Sequence, residues 1–225
     1  MKNVFSILIV EDHQLSIDAF RKSLDVVQIE IQNIEFQISE AKNCEEAYDK
    51  VITLDQGCKY DLVMLDISLP PSKKYDILNG EILGQKIKKI LPDCRFFVCT
   101  AHNNNFRLNN ILQSLNPEVF LIKPDIDFAD LVNALKKILN NGSYYSETIL
   151  NLMRKKYHNS FILDELDVKI LYEISIGANM KELIEFIPLS RAGIEKRKRL
   201  LKNNFKIKNN SDRALVLAAK EKGYL

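Results

Sequence analysis

Apolar runs of strand length alternate with stretches of helical spacing over the first 140 residues. Val4 to Val10 is such a run, closed by Glu11-Asp12, and Gln14 to Leu24 then repeats Leu15, Ile17, Ala19, Phe20 and Leu24 on one helical side. Glu35 to Ser39 is a weaker strand candidate. Asn43 can cap a helix to Thr53 whose buried side is Cys44, Ala47, Tyr48, Val51 and Ile52. Leu62 to Leu65 is a short block apolar at every position, as expected of a strand covered on both faces, and Pro70 marks the end of regular structure. Gly80 to Ile90 is helical in pattern, Phe96 to Thr100 a fourth strand, and Asn103 a cap for a helix reaching Leu115. Glu118 to Ile122 forms a fifth strand, and Asp127 to Leu139 a fifth helix stopped by Asn140-Asn141-Gly142. This rhythm predicts an α/β domain with a five-stranded parallel sheet wound on both faces.

The pattern changes after Asn140. Gly142 to Ser160 is polar and broken by Asn, Ser and Tyr, with room for a short helix over Ile149 to Lys156, and reads as a linker. Asp164 then caps a helix with Leu166, Ile170, Leu171 and Ile174 in a stripe, ended by Gly177. Met180 to Ile187 is a second short helix, Pro188-Leu189 a turn, and Ser190 the cap of a third helix, Arg191 to Asn204. A short helix, a tight turn and a longer basic helix compose a helix-turn-helix. The expected organisation is therefore residues 1–140, a linker at 141–162, and a small all-α domain at 163–225.

Charge sharpens that division. The net +2 conceals 16 Lys/Arg against 20 Asp/Glu through Asn140, and 16 against 10 beyond it. A basic back part suits a polyanion, while the acidic front disfavours one. On the third of these helices Arg191, Lys196, Arg197, Lys198, Arg199 and Lys202 surround a narrow apolar face of Ile194, Leu201 and Phe205, and within Arg191 to Lys208 only Glu195 offsets them. These six are the candidate contacts to double-stranded DNA. Cys44, Cys58, Cys94 and Cys99 form no C-x-x-C pair and read as reduced thiols, so with three histidines a zinc site is not expected. The start is too short in apolar residues for a signal sequence, and no stretch reaches the roughly 18 apolar residues of a membrane span. A cytoplasmic location and no membrane partner follow as expectations.

The chemistry lies where strands end. Glu11 and Asp12 follow the first strand, Asp66 the third, Thr100 closes the fourth and Lys123 follows the fifth. A parallel sheet gathers these at one edge, the edge where open α/β sheets bind ligands. Seen singly each has a plain reading: Asp66 as a turn residue or cap, Thr100 as a strand former, Lys123 as an exposed lysine. Jointly, three carboxylates call for a hard cation such as Mg2+, and a hydroxyl with an ammonium suits a phosphoryl group. The set reads as phosphoryl transfer onto a carboxylate. The long loop from Ser68 to Asn79, with Pro70-Pro71 and Lys73-Lys74, fits two readings equally, a mobile flap and a tolerated surface insertion.

In these residues, Val4 to Leu139 resembles the receiver domain of two-component response regulators. The resemblance is carried by Glu11-Asp12, Asp66, Pro70 followed by Gly80, Thr100 beside Ala101, Lys123-Pro124, and Phe120 three positions before the lysine. It implies a flavodoxin-like fold, Mg2+ held by Glu11, Asp12, Asp66 and the Ser68 backbone carbonyl, and Asp66 phosphorylated by a sensor histidine kinase. It further implies Thr100 and Lys123 as phosphate partners and Phe120 as a switch residue. The Pro70 to Gly80 interval is longer than the family's and departs from it.

Leu163 to Leu225 resembles the LuxR-type output domain in Gly177, Leu183-Ile184, Ser190, Ile194, Leu201 and Phe205. That likeness implies DNA binding and a fourth helix, Asp212 to Lys222, serving a homodimer. Departures are Arg197 where the family usually has His, Asn204 for its lysine, and two extra residues around Asn209-Asn210. The expected function is a transcription-controlling response regulator, a switch and not a metabolic enzyme. The alternatives are a receiver whose last domain binds protein or RNA, and a Mg2+-dependent phosphatase, which lacks a second Asp two residues after Asp66 to act as acid.

Overall fold

The computed structural model describes residues 3–31, 33–55, 58–157, 163–207 and 211–225. Asn209-Asn210 and the end of the expected linker, residues 158–162, lie outside them. Two compact units are present, one formed by the chain through Asn103 with Asn110–Leu150, the other by Asn104–Asn109 with Asn151–Leu225.

The first unit alternates strand and helix as its apolar pattern requires: β1 (Asn3–Val10), α1 (Gln14–Glu30), β2 (Ile34–Ala41), α2 (Cys44–Ile52), β3 (Leu62–Leu65), α3 (Gly80–Ile90), β4 (Arg95–Thr100), α4 (Asn105–Ser114), β5 (Val119–Ile122) and α5 (Phe128–Leu139). The strands form one parallel sheet in the order β2-β1-β3-β4-β5, and the order turns back between β1 and β3. Ligands of an open α/β sheet bind at that reversal.

All four residues of β3 and of β5 are buried, which is why no alternation shows in their sequences. One sheet face, with Ile7, Ile9, Met64, Phe97, Cys99 and Leu121, packs on Ile17, Phe20 and Leu24 of α1 and on Leu131, Leu135 and Ile138 of α5. Alternating residues, Phe120 among them, face the opposite side, where Leu65 and Leu115 lie close against Gly84 of α3. Caps set the helix starts: Asn43, Asn79 and Asp127 each accept a backbone N–H from the first turn, and Asp127 with Asp130 completes a capping box.

Several expectations are corrected. A sixth strand, β6 (Tyr144–Tyr145), adds to the edge beside β5. At two residues it has no alternation to detect, and it forms because the chain leaving α5 turns at Asn141 (φ 56°) and runs along β5. β2 extends beyond Glu35 to Ser39 at both ends because it pairs with β1 over eight positions. The start of α4 is held by Asn104, whose Oδ1 accepts from Arg107 N at 3.2 Å, and not by Asn103.

The loop before α3 is tied down by its own contacts, unlike the mobile flap that was one of its two readings. Ser72 and Ile77 exchange backbone hydrogen bonds of 2.8 and 2.9 Å and are both buried. The Tyr75 ring meets Tyr48 of α2 edge-on at 4.8 Å, its carbonyl accepts from Lys86 Nζ at 2.6 Å, and Lys74 pairs with Asp49 at 3.0 Å. Tyr75 and Lys74 anchor this segment to α2, and Lys86 anchors it to α3.

The second unit is helical: α6 (Glu147–Tyr157), which begins within the first unit, then α7 (Glu165–Ser175), α8 (Met180–Phe186), α9 (Arg191–Asn204) and α10 (Asp212–Glu221). Asp164, Asn179, Ser190 and Ser211 cap the last four. Gly177, at φ 95°, lets the chain leave α7 in the left-handed region, and Ala178 N closes on Glu173 O at 3.0 Å. Ile170, Leu171, Leu183, Ile187, Ile194, Leu201 and Leu215 form its core.

Candidate functional site

The C-terminal ends of β1, β3 and β5 deliver their polar residues to one place. Glu11 is fully buried and Asp66 only 2% exposed, yet both carboxylates are paired: Lys123 Nζ lies 2.8 Å from Glu11 Oε2 and 2.7 Å from Asp66 Oδ2. β5 ends at Ile122, and a single 3-10 turn over Lys123–Asp125, opened by Pro124, aims the lysine back across the sheet edge. Burial works against the charge on Lys123, but the hydrogen bonds it donates to Asp66 and Glu11 outweigh it and hold its pKa above the ordinary lysine value.

The remaining oxygens point elsewhere. Asp66 Oδ1 accepts from Ser68 N at 3.0 Å, and Glu11 Oε1 faces His13, whose backbone N and ring Nδ1 both lie at 3.2 Å. Thr100 is buried at the end of β4, and its Oγ1 accepts from His102 N at 3.3 Å. His102 Nε2 in turn contacts Ser68 Oγ at 2.9 Å, so the loops after β3 and β4 are joined beside Asp66. Gly80 closes the floor. A Cβ there would lie 2.1 Å from the Asp66 carbonyl oxygen, so the first turn of α3 sits directly on the backbone of Asp66.

Glu11, Asp12 and Asp66 with Lys123 carry a formal charge of −2, the complement of one divalent cation. Glu11, Asp12, His13 and Asp66 each bring a donor atom within 4.8 Å of the others. Asp12 Oδ1 is shielded from solvent and, among the described residues, accepts no hydrogen bond, its near neighbour being His13 Nδ1 at 2.9 Å. An oxygen-rich set of this kind fits a hard ion such as Mg2+. The apolar side of Lys123 borders a different space, a cavity of about 330 Å³ lined also by Leu15, Phe20, Cys99 and Phe128. Burial pushes the Cys99 thiol there up to about 12, so it stays neutral.

Glu11, Asp12, Asp66 and Lys123 thus come together as the strand ends foretold, with Thr100 on the neighbouring strand end. Phe120 is wholly buried on the sheet face away from α1 and α5, and its carbonyl accepts from Ser146 N at 3.1 Å. His13, His102 and the Ser68 side chain were missed. The signal was available: each lies within two residues of a residue already singled out.

The family model for the response regulator receiver domain matches residues 7–136. The chain belongs to the response regulator receiver domain family. Beyond the receiver, the whole chain shares its fold with RcsB of Salmonella enterica serovar Typhimurium bound to promoter P1flhDC in the presence of the phosphomimetic BeF3- (22% identity, TM-score 0.63, 96% of this chain and 98% of that one). A structure of two RcsB dimers bound to two parallel DNAs is similar at 22% identity and TM-score 0.62, over 97% and 98% of the two chains. The isolated receiver domain of Salmonella RcsB with BeF3- matches at 24% identity and TM-score 0.54, over 66% of this chain and 98% of that one. None of the curated proteins compared matches the chain. Among the described residues, no helix is long and apolar enough to cross a membrane.

The basic helix α9 is less free than its sequence implies. Arg197 bridges Asp164 and Asp167 at 2.6 and 2.7 Å, while Lys198 and Lys202 reach Asp212 at 2.7 and 3.0 Å. The offsetting acids lie on α10 and at the start of α7, distant in sequence from the basic run. Arg191, Lys196 and Arg199 are exposed, and the latter two share one helical side with Ala192 and Asn203.

Proposed function

We propose that the chain is a response regulator whose receiver takes a phosphoryl group on Asp66 and whose C-terminal helices bind promoter DNA as a homodimer. The observation that carries this reading is Lys123 bridging Glu11 and Asp66 at 2.8 and 2.7 Å, at the sheet edge where the carboxylates gather. An Asp66 oxygen displaces the imidazole nitrogen of a phosphohistidine on a partner kinase: a P–O bond forms, the P–N bond breaks, and the imidazole keeps the electron pair. Glu11, Asp12, Asp66 and the Ser68 carbonyl would hold Mg2+, which when bound would offset the carboxylate charge and that of the incoming phosphoryl group.

Lys123 already lies against Asp66 and moves onto the phosphoryl oxygens as charge develops. The Thr100 hydroxyl turns to the same oxygens, giving up its contact with His102 N. Phe120, buried in the strand between Thr100 and the edge strand β6, repacks in response. The boundary between receiver and output is placed in the span 141–162, with the helix-turn-helix domain at 163–225. In that domain Arg191, Lys196 and Arg199 face DNA, whereas Arg197, Lys198 and Lys202 serve mainly to tie α9 to its neighbours. The RcsB structures on DNA, alike in fold over the whole chain, support the same role here.

Two measurements test the reading. Incubation with acetyl phosphate and Mg2+ adds one phosphoryl group by intact mass, and Asp66→Asn adds none. An unmodified wild type refutes the receiver assignment. In a mobility-shift titration, duplex DNA is bound with an affinity that falls steeply with salt. No shift at low salt would favour a protein or RNA partner.

A further inference from the structure

One helix is divided between the two units. Asn104–Asn109, at the start of α4, belongs to the second unit, and the remainder of the helix, from Asn110, to the first. Within the second unit the Phe106 ring stacks on Tyr172 of α7, with centroids 4.4 Å apart and planes 18° from parallel, at the margin of the helical core. Asn105 Nδ2 donates to the Leu225 carbonyl at 2.7 Å, and Asn109 Nδ2 to the Gly223 carbonyl at 3.0 Å. These acceptors lie just past α10, where Gly223 turns the chain at φ 78° and Tyr224 is buried beside Phe205.

The contacts have the chemistry of a joint that opens. Asn109 is 8% exposed, yet its Oδ1 has no hydrogen-bond partner among the described residues, a cost that an apolar side chain in the same place would not carry. The segment also favours helix poorly. Five of residues 103–110 are asparagine, whose side chains compete with the backbone for hydrogen bonds. Its helical form therefore leans on Asn105, Phe106 and Asn109 being engaged.

Only three residues separate Thr100 from Asn104. His102, one of them, donates its backbone N–H to Thr100 Oγ1 at 3.3 Å and meets Ser68 Oγ through Nε2 at 2.9 Å. A Thr100 hydroxyl that turns to a phosphoryl group drops the first of these bonds, and the lead into α4 is loosened with it.

We propose that Asn104–Asn109 is a clamp on the second unit, engaged while Asp66 is unmodified and withdrawn when a phosphoryl group draws Thr100 away from His102. The proposal rests on the phosphoryl-accepting, DNA-binding reading and adds the contact that holds its resting state. Engaged, the clamp ties down the chain immediately after α10. Withdrawn, it leaves the second unit to pair with that of another copy on DNA. By linkage, whatever opens the clamp favours DNA binding, and DNA favours its opening.

Hydrogen exchange on the wild-type chain, with and without acetyl phosphate and Mg2+, is the first test. Leu108 N–H, bonded to Asn104 O, and Tyr224 N–H, bonded to Ala219 O, are expected to lose protection together on phosphorylation. The second test uses duplex DNA. Unmodified Phe106→Ala is expected to bind it about tenfold more tightly than unmodified wild type, and phosphorylation to add less than about twofold. Asn109→Ala acts in the same direction, whereas Phe106→Tyr, which keeps the stack, behaves as wild type. A merely damaged fold would weaken DNA binding. Exchange in the wild type alone decides the matter should Phe106→Ala melt early.

Unchanged protection in a phosphorylated wild type, or a folded Phe106→Ala that binds DNA no more tightly than wild type, overturns the clamp. If the wild type nonetheless takes up a phosphoryl group and binds DNA, only the clamp fails. A wild type that does neither overturns the underlying reading together with it.

Discussion

Gly80→Ala is the substitution through which the structure makes its sharpest statement about Asp66. The added methyl would lie 2.1 Å from the Asp66 carbonyl oxygen and 2.8 Å from Ile67 Cα. Backbone cannot rotate away as a side-chain end can, so α3 or the end of β3 must move by about 1 Å to restore contact distance. The shift also strains Gly80 N–H to Ile67 O, 3.0 Å long, which fastens the helix to the strand. Overpacking of this kind costs about 1 to 3 kcal/mol, and the gain in helix propensity over glycine offsets at most about 1. A net loss near 2 kcal/mol lowers the unfolding midpoint of the receiver by about 5 °C. The carboxylate moves with its backbone, and an error of about 1 Å in a reacting group can cost up to about a hundredfold in rate. Gly84→Ala is the control: its methyl meets only the ends of Leu115 and Leu65, at 2.8 to 3.0 Å, and these can turn aside. Thermal melts and the rate of phosphoryl uptake from acetyl phosphate, followed by intact mass, measure both effects. If Gly80→Ala matches wild type in midpoint and in uptake rate, α3 does not position Asp66, and the reasoning fails.

Lys123→Ala leaves buried Glu11 facing Asp66 without a countercharge, and about 3 kcal/mol of stability should be lost in chelator; added Mg2+ should restore more of it than it adds to wild type, as read by thermal melts with and without the ion. Asp212 loses affinity for its proton because, although burial opposes it, Lys198 and Lys202 hold the carboxylate below its usual range. Its folded pKa being the lower one, the pair stabilises above the unfolded value near 3.9 and the benefit is lost as pH falls through the folded value. With the side chain 42% exposed this amounts to under about 1 kcal/mol, and Asp212→Asn should flatten the loss of urea stability as pH falls below about 4. In the same domain Arg197→Ala should lower thermal stability with little change in DNA affinity, whereas Arg199→Ala should weaken DNA binding and reduce its salt dependence by about one counterion with the melt unchanged; the reverse pattern in mobility shifts would exchange their roles.

The receiver was legible because its information is local and periodic. β3 and β5 announce themselves as short, wholly apolar blocks, and each is followed within a residue or two by the polar group that the sheet brings to its edge. Caps did the same for helices, at Asn43, Asp164 and Ser190. What escaped was non-local. β6 is two residues whose pairing is decided by where α5 ends, and the loop before α3 is ordered by Asp49, Tyr48 and Lys86, none of which its own sequence can name. The helix-turn-helix elements were placed closely, yet the free charge on α9 was overestimated, since its acidic partners sit ten or more residues away.

That last misreading has a physical moral about counting charge. A lysine or arginine contributes to a polyanion contact only if it is not already neutralised, and a neutralised one must first surrender an intramolecular partner. Arg197 would leave Asp164 and Asp167, and Lys198 with Lys202 would leave Asp212, each exchange returning part of what the phosphate gives. Lys123 follows the same rule in the opposite direction. Its existing bonds to Glu11 and Asp66 do not compete with a phosphoryl group, because that group arrives on Asp66 itself and extends the anion Lys123 already holds. On the function proposed above, ion pairing therefore removes residues from the DNA face while it preorganises the phosphoryl site, and the difference lies in whether the incoming anion replaces the resident partner or is built upon it.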